Sequence, residues 1–336
     1  MTFDERVRAL EPLRLTPRQT RFVATVALHS GYCLRRQYMA FAGLQYGKVV
    51  RDFLDHLVAR RLAVREPCRA DRGFLYHLQA RSIYRALRQD DNRNRRHASL
   101  AAIGRKLMVL DFVIAHSGGD WYATQDDKVD FFTQRLGIPL TDLPQQTYAS
   151  YDQRTAPTTR YFPHKLPIFV TGEPRRIHFV ALALEHTGQA FGRFLHDHAR
   201  LLGQLPAWAI VVIYQAGASA AAEAGRAVFD RYVLGLPSTR THDRADLVRL
   251  FVMRRAVERN DLTSLSVADL NWFREARRRL ADPIVESLYA RWLVSGDHAL
   301  GLGMAGPDRG AVSTGQFVAR ELPFSYEQFG DFVGVC

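Results

Sequence analysis

The sequence is poor in the features that would make its chemistry easy to read. It has three cysteines, Cys33, Cys68 and Cys336, far apart and with no CxxC pair or Cys/His cluster at zinc spacing. That pattern excludes a disulfide framework and a zinc-finger scaffold, and leaves ordinary reduced thiols. No apolar run approaches the roughly 20 residues that span a bilayer. The opening "MTFDERVRAL" lacks the charged-then-apolar order of a signal peptide, so a cytoplasmic chain with no membrane partner is expected. There is no Walker loop, Rossmann glycine fingerprint or GxSxG elbow, and "GLGMAG" near the C-terminus follows no clear strand. No cofactor is implied. The scarce charge is the acidic one: 34 Asp and Glu against 46 Lys and Arg, a formal +12 with an excess that is mostly arginine. A polyanionic partner is the natural inference. A generally basic chain carries the same number, so charge needs a motif beside it.

What is present is ordinary folded composition, 47% hydrophobic and 24% charged, over 336 residues, a size that suits about two or three domains. "LTPRQTRFVATVALHSG" opens with Thr16 as N-cap and Pro17 at the first helical position, and Phe22, Val23, Val26 and Ala27 mark its buried stripe. Gly31 ends it. "LRRQYMAFAG" supplies a short second helix that Gly43 can terminate. In "GKVVRDFLDHLVARRLAVRE", Val49, Val50, Phe53, Leu54, Leu57 and Val58 fall to one side at the helical period, with Gln45, Lys48, Arg51, Asp52 and Asp55 on the other. "LAVRE", a turn "PCRADRG" and "FLYHL" follow as a hairpin.

Helix, helix, helix and a two-stranded hairpin is the order of a winged helix-turn-helix. On that reading the third helix enters the major groove of double-stranded DNA, with Lys48 and Arg51 near its start and Gln45 able to pair with an adenine edge. Arg69 and Arg72 at the hairpin tip, with Arg65 at its base, would reach phosphates or the minor groove, and Arg35 and Arg36 would face the backbone from the second helix. Asp52 and Asp55 would repel phosphate, so only the front of the helix can insert deeply. Winged helices also serve as protein-interaction modules, and an arginine-rich face is often plain solvated surface. The agreement of helix charge, wing charge and net charge favours DNA.

"RQDDNRNRRHAS", residues 88 to 99, reads as a polar surface connection with a domain boundary inside it. Beyond it "LAAIGRKLMVLDFVIAHSGG" carries an apolar stripe of Leu100, Ile103, Leu107, Leu110 and Ile114, either internal core or the seam of a homodimer on a two-fold DNA site. A capped helix starts near Thr124, with Asp126 and Asp127 in its first turn, and a long proline-marked connection ends this part. "PIFVTGEPRRIHFVALAL" then reads as two strands joined at Gly172-Glu173-Pro174, "GQAFGRFLHDHARLL" as a helix, "WAIVVIYQ" as a buried strand and "SAAAEAGRAVFDRYVL" as another helix. The remainder is largely helical, with a glycine-rich tail from about Gly301.

A winged helix opening with "LTPRQTRFV" and followed by a nuclease-like α/β module resembles the replication-relaxation family of bacterial mobile elements, and more broadly DNA-binding proteins that carry a PD-(D/E)xK-type fold. The likeness covers most of the chain and rests on order and pattern. Active members of that nuclease fold hold a divalent metal with an acid at one strand end and an acid-x-Lys on the next. Here "FVALALEHTGQ" offers Ala183 and Glu185, followed by His186, with no lysine, and Glu173 lies in the turn. A hard cation prefers more oxygen charge than that. His196, Asp197 and His198 are an outside candidate for metal, but adjacent residues splay around a helix, and a solvated face is expected.

The fold class expected is therefore α+β, in four parts: a winged helix-turn-helix over residues 1–90, a helical connector with possible dimerisation over 91–160, a degenerate nuclease-like α/β domain over 161–300, and a tail over 301–336. The function expected is transcriptional regulation by a non-enzymatic, sequence-specific DNA-binding homodimer without a metal site. A relaxosome or replication accessory protein and a metal-dependent nuclease are the alternatives. The resemblance implies a mobile-element or plasmid setting.

Overall fold

The computed structural model describes residues 1–68, 73–148, 158–172, 176–184, 188–235, 244–259, 261, 265–280, 285, 289, 292–293, 296 and 314–326. They are α+β in content and fall into two compact units, Met1–Val233 with Ser313–Cys336, and Leu234–Val312. The divisions expected at residues 90 and 160 both fall inside the larger unit.

That unit begins with α1 (Phe3–Ala9) and α2 (Pro17–His29). Thr16 caps α2 by accepting from the Gln19 N–H, Gln19 returns the bond to the Thr16 backbone, and Pro17 occupies a position whose N–H has no helical use. β1 (Tyr32–Leu34) leads into α3 (Arg35–Ala42), which stops at Gly43 in the left-handed region, φ 63°. Next come α4 (Lys48–Ala59) and the antiparallel pair β2 (Ala63–Pro67) and β3 (Phe74–Leu78); β1 joins the far edge of β3, giving the order β1-β3-β2. The rings of Phe22, Tyr38 and Phe53, one each from α2, α3 and α4, meet at centroid distances of 4.3 to 6.2 Å. Together with Val50, Leu54 and Leu57 they bury the inner side of α4 and leave its outer side to solvent.

After α5 (Arg81–Ala86) the polar stretch 88–99 does more than connect. Asn94 donates from Nδ2 to the carbonyls of Ala27 and Leu28 at 3.1 Å each, satisfying the open end of α2. Lys106 Nζ donates to Asn94 Oδ1 at 2.6 Å and to the Ser30 carbonyl at 3.0 Å. Gly31, φ 77°, passes so close that a Cβ there would sit 2.2 Å from the Asn94 carbonyl oxygen. The chain is clamped together where a boundary was expected.

α6 (Leu100–Ala115) lies between two cores. Leu110 and Ile114 pack with α2 to α4, whereas Ile103, Leu107, Met108, Phe112 and Val113 pack on the large sheet. The stripe considered as a dimer seam is thus spent on the chain's own interior, with Leu100 left exposed. β4 (Asp120–Tyr122) and α7 (Gln125–Asp130) follow; Thr124 caps α7 against Asp127, and a π-helical turn, Phe131–Arg135, continues it. β5 (Gln145–Tyr148) and β6 (Thr158–Tyr161) make a separate hairpin.

The large sheet takes β7 (Ile168–Thr171), β8 (Arg176–Leu182), β9 (Ala207–Tyr214) and, from the far end of the chain, β10 (Thr314–Glu321). Its order is β10-β9-β8-β7-β4, with β4, β7 and β8 antiparallel in turn and β8, β9 and β10 parallel. α8 (Gln189–Gln204) makes the crossover from β8 to β9, and α9 (Ser219–Gly235) follows β9. The expected tail therefore supplies a full sheet strand. Gly315 pairs with Trp208 across it, and a Cβ there would meet the indole at 2.5 Å, so only glycine lets the two strands close. The smaller unit contains α10 (Arg244–Glu258) and α11 (Val267–Arg279), with a core of its own around Leu247, Phe251, Phe273 and Ala276. Among the described residues no helix is long and apolar enough to cross a membrane.

Candidate nucleic-acid interface

Four of the residues proposed to meet DNA, Arg35, Gln45, Lys48 and Arg51, are exposed on or beside α3 and α4. Gly47 enters α4 in extended backbone and offers no capping side chain, and no acidic residue stands in the first turn, so the positive end of the helix is uncompensated. Lys48 and Arg51 project from this first turn, exposed, and among the described residues neither side chain has an ion-pair or hydrogen-bond partner. Gln45 is exposed just before them. The lead-in is held from below by Gly43 N–H to the Ala40 carbonyl, Leu44 N–H to the Met39 carbonyl, and an Arg18 guanidinium bond to the Ala42 carbonyl at 3.0 Å.

Arg35 is exposed, its guanidinium carbon 4.2 Å over the ring of Tyr46. Arg65 is also at the surface, but it donates to Asp55 Oδ1 at 3.3 Å and lies 4.4 Å over Phe74. The expected acidic interruption of the helix is thus half answered, because Asp55 is turned toward Arg65 on β2. Arg69 and Arg72 lie outside the described residues.

Arg36 departs from expectation. Instead of facing outward it donates both terminal nitrogens to the Asp111 carboxylate on α6, at 2.6 and 2.8 Å, with its guanidinium carbon 3.6 Å from the Phe324 ring. Tyr326, fully buried, donates its hydroxyl to the same carboxylate. Burial first, and then the Asp111 charge, hold the Tyr326 phenol far above its ordinary range. Arg36 is a fastener between α3, α6 and the segment after β10, and the physical reason is a two-toothed carboxylate partner 75 residues on that no local pattern reveals. Val49 departs in the other direction: placed with the buried stripe by its period, it is 63% exposed.

On the large sheet, Ala183 follows β8 and donates its N–H to the Ile213 carbonyl, while Glu173, Glu185 and His186 lie outside the described residues. The helical trio is not a uniformly solvated face. His196 is exposed, Asp197 accepts from or pairs with His164 Nε2 at 2.8 Å, and His198 turns inward to stack on Phe194 at 4.1 Å. Burial pushes the His198 imidazole down to about 3. Among the described residues no three His, Cys, Asp or Glu side chains are grouped to hold a metal ion.

Comparison with protein-family models, with curated proteins and with solved structures finds no match to this chain.

Proposed function

We propose that this chain is a sequence-specific double-stranded DNA-binding regulator that docks α4 in the major groove as the reading helix of a winged helix-turn-helix. The observation that carries the proposal is the pair Lys48 and Arg51, unpartnered among the described residues at the uncapped front of a helix whose opposite side is locked into an aromatic core. The order β1-β3-β2 behind α2, α3 and α4 fits such a domain, with the β2–β3 hairpin as the wing. Phosphate contacts from arginines would supply salt-sensitive affinity and α4 the selectivity.

The second part of the reading is a degenerate nuclease scaffold. Antiparallel β4, β7 and β8, a helix, and parallel β9 suit that topology, yet β7 and β8 as described carry no carboxylate between them. Regulation would then come from occupancy of a site, without cleavage. Homodimers on a two-fold site belong to the same proposal, with a seam elsewhere than the buried side of α6. The mobile-element setting rests on the resemblance to the replication-relaxation family.

The test is selection of duplexes from a random library by the full chain, followed by affinity measured over a salt series. A common motif with affinity that falls steeply with salt is the expected result. Salt-insensitive binding, or no enrichment, overturns the proposal. Supercoiled plasmid with magnesium is expected to remain uncut, and nicking would move the chain to the nuclease class.

A further inference from the structure

The front of α4 and the residues leading into it present two apolar side chains that the core does not use. Val50, Phe53, Leu54 and Leu57 are the residues that α4 buries. Val49 is rotated about 100° from Val50 and stands beside Lys48 with 63% of its surface open. A β-branched residue in that place gains nothing from packing and is a mediocre helix former. Single exposed aliphatics are common on proteins, but this one has a companion. Tyr46, 55% exposed, lies two residues before the start of the helix, and the Arg35 guanidinium stacked on its ring at 4.2 Å limits where that ring can lie.

We infer that Val49 reads the 5-methyl group of a thymine, with Tyr46 as the wall of the same small apolar notch. The inference rests on the DNA-binding reading above and deepens it. The major groove offers one apolar feature at its base edges, the thymine methyl, and aliphatic side chains recognise it by contact. Lys48 stands next to Val49 and Arg35 lies over Tyr46, so a cation adjoins each of the two apolar side chains, while the exposed Asp52 follows Val49 one turn on. That frame suits a methyl group set among phosphates and purine acceptors. It suits a protein partner poorly, because the centres of protein interfaces are depleted of charge.

The experiment uses the full chain and the duplex recovered by the library selection. Each thymine is replaced in turn by deoxyuridine, which lacks only the methyl, and affinity is measured at fixed salt for the wild type and for Val49→Ala. One position is expected to weaken wild-type binding about fourfold, the equivalent of about 0.8 kcal/mol for one buried carbon. In Val49→Ala the same replacement is expected to cost nothing further, and Val49→Thr, which keeps one methyl, to fall between. Thermal unfolding of the variants is expected to match the wild type, since the side chain is exposed. An equal penalty in wild type and Val49→Ala overturns the inference, because another residue then reads the methyl. Indifference of the wild type to every replacement overturns it while leaving DNA binding intact. Failure to recover any duplex overturns both.

Discussion

The front of α4 and the junction of α3 with α6 draw on the same residue types and put them to opposite uses. Arg35 and Arg36 are neighbours in the chain; one lies open over Tyr46, and the other is closed onto Asp111 beneath Phe324. At the first place the positive charge meets no carboxylate among the described residues and so stays available for a polyanion. At the second the charge is matched by a carboxylate and a phenol, and its work is to join α3, α6 and the segment that follows β10. Net charge treats the two arginines alike. What separates them is whether packing brings a partner within hydrogen-bond reach.

Acid is the bluntest way to break that contrast, because it attacks the interior. Burial pushes the imidazoles of His29 and His198 down to about 3, against an ordinary 6.5. Below pH 6.5 the unfolded chain takes up protons that the folded one refuses, so stability is lost as pH falls from 6.5 toward 3. The expected loss between pH 7 and pH 5 is about 3–4 kcal/mol for the two groups together, read by urea unfolding, and His198→Phe is expected to remove about half of it.

Asp111→Ala acts at the junction alone. It strands a largely buried guanidinium and the Tyr326 hydroxyl, and the expected destabilisation is about 3 kcal/mol, with DNA affinity of the folded protein unchanged. A loss of affinity without loss of stability would place Arg36 back at the interface.

Replacing Lys48 and Arg51 together with Ala is the mirror experiment. Affinity is expected to fall about tenfold to a hundredfold and the salt slope to flatten by about 2, with the unfolding midpoint unmoved. The smallest effect expected is from Asp55→Asn, which frees Arg65 and removes a like charge from the phosphates: about twofold to fivefold tighter binding, vanishing at high salt.

Much of the local structure was legible. The Thr16-Pro17 start of α2, the Gly43 stop of α3, the Thr124 cap and the antiparallel pairings of β2 with β3 and of β7 with β8 are where the residue types place them, since caps and neighbouring strands are decided by atoms a few positions apart. The site was half legible. Lys48, Arg51, Gln45 and Arg35 are exposed as expected, but Arg36 is not free and Val49 is not buried. Periodicity put Val49 in the stripe because it stands only one step from Val50, and the open front of the helix decided otherwise. Asn94 read as solvated linker, although its amide closes the end of α2.

By itself, then, the order of residues determined the helices, the turns and the excess of arginine, all properties of short stretches or of the whole sum. The tertiary structure decided which arginine is spent and which is left over, that α6 is interior on both sides, and that a glycine-rich end returns as β10. Those outcomes depend on close approach between residues far apart in the chain, as where Gly315 admits Trp208 and Asp111 receives Arg36. Sequence distance carries no force; a carboxylate at 2.6 Å does.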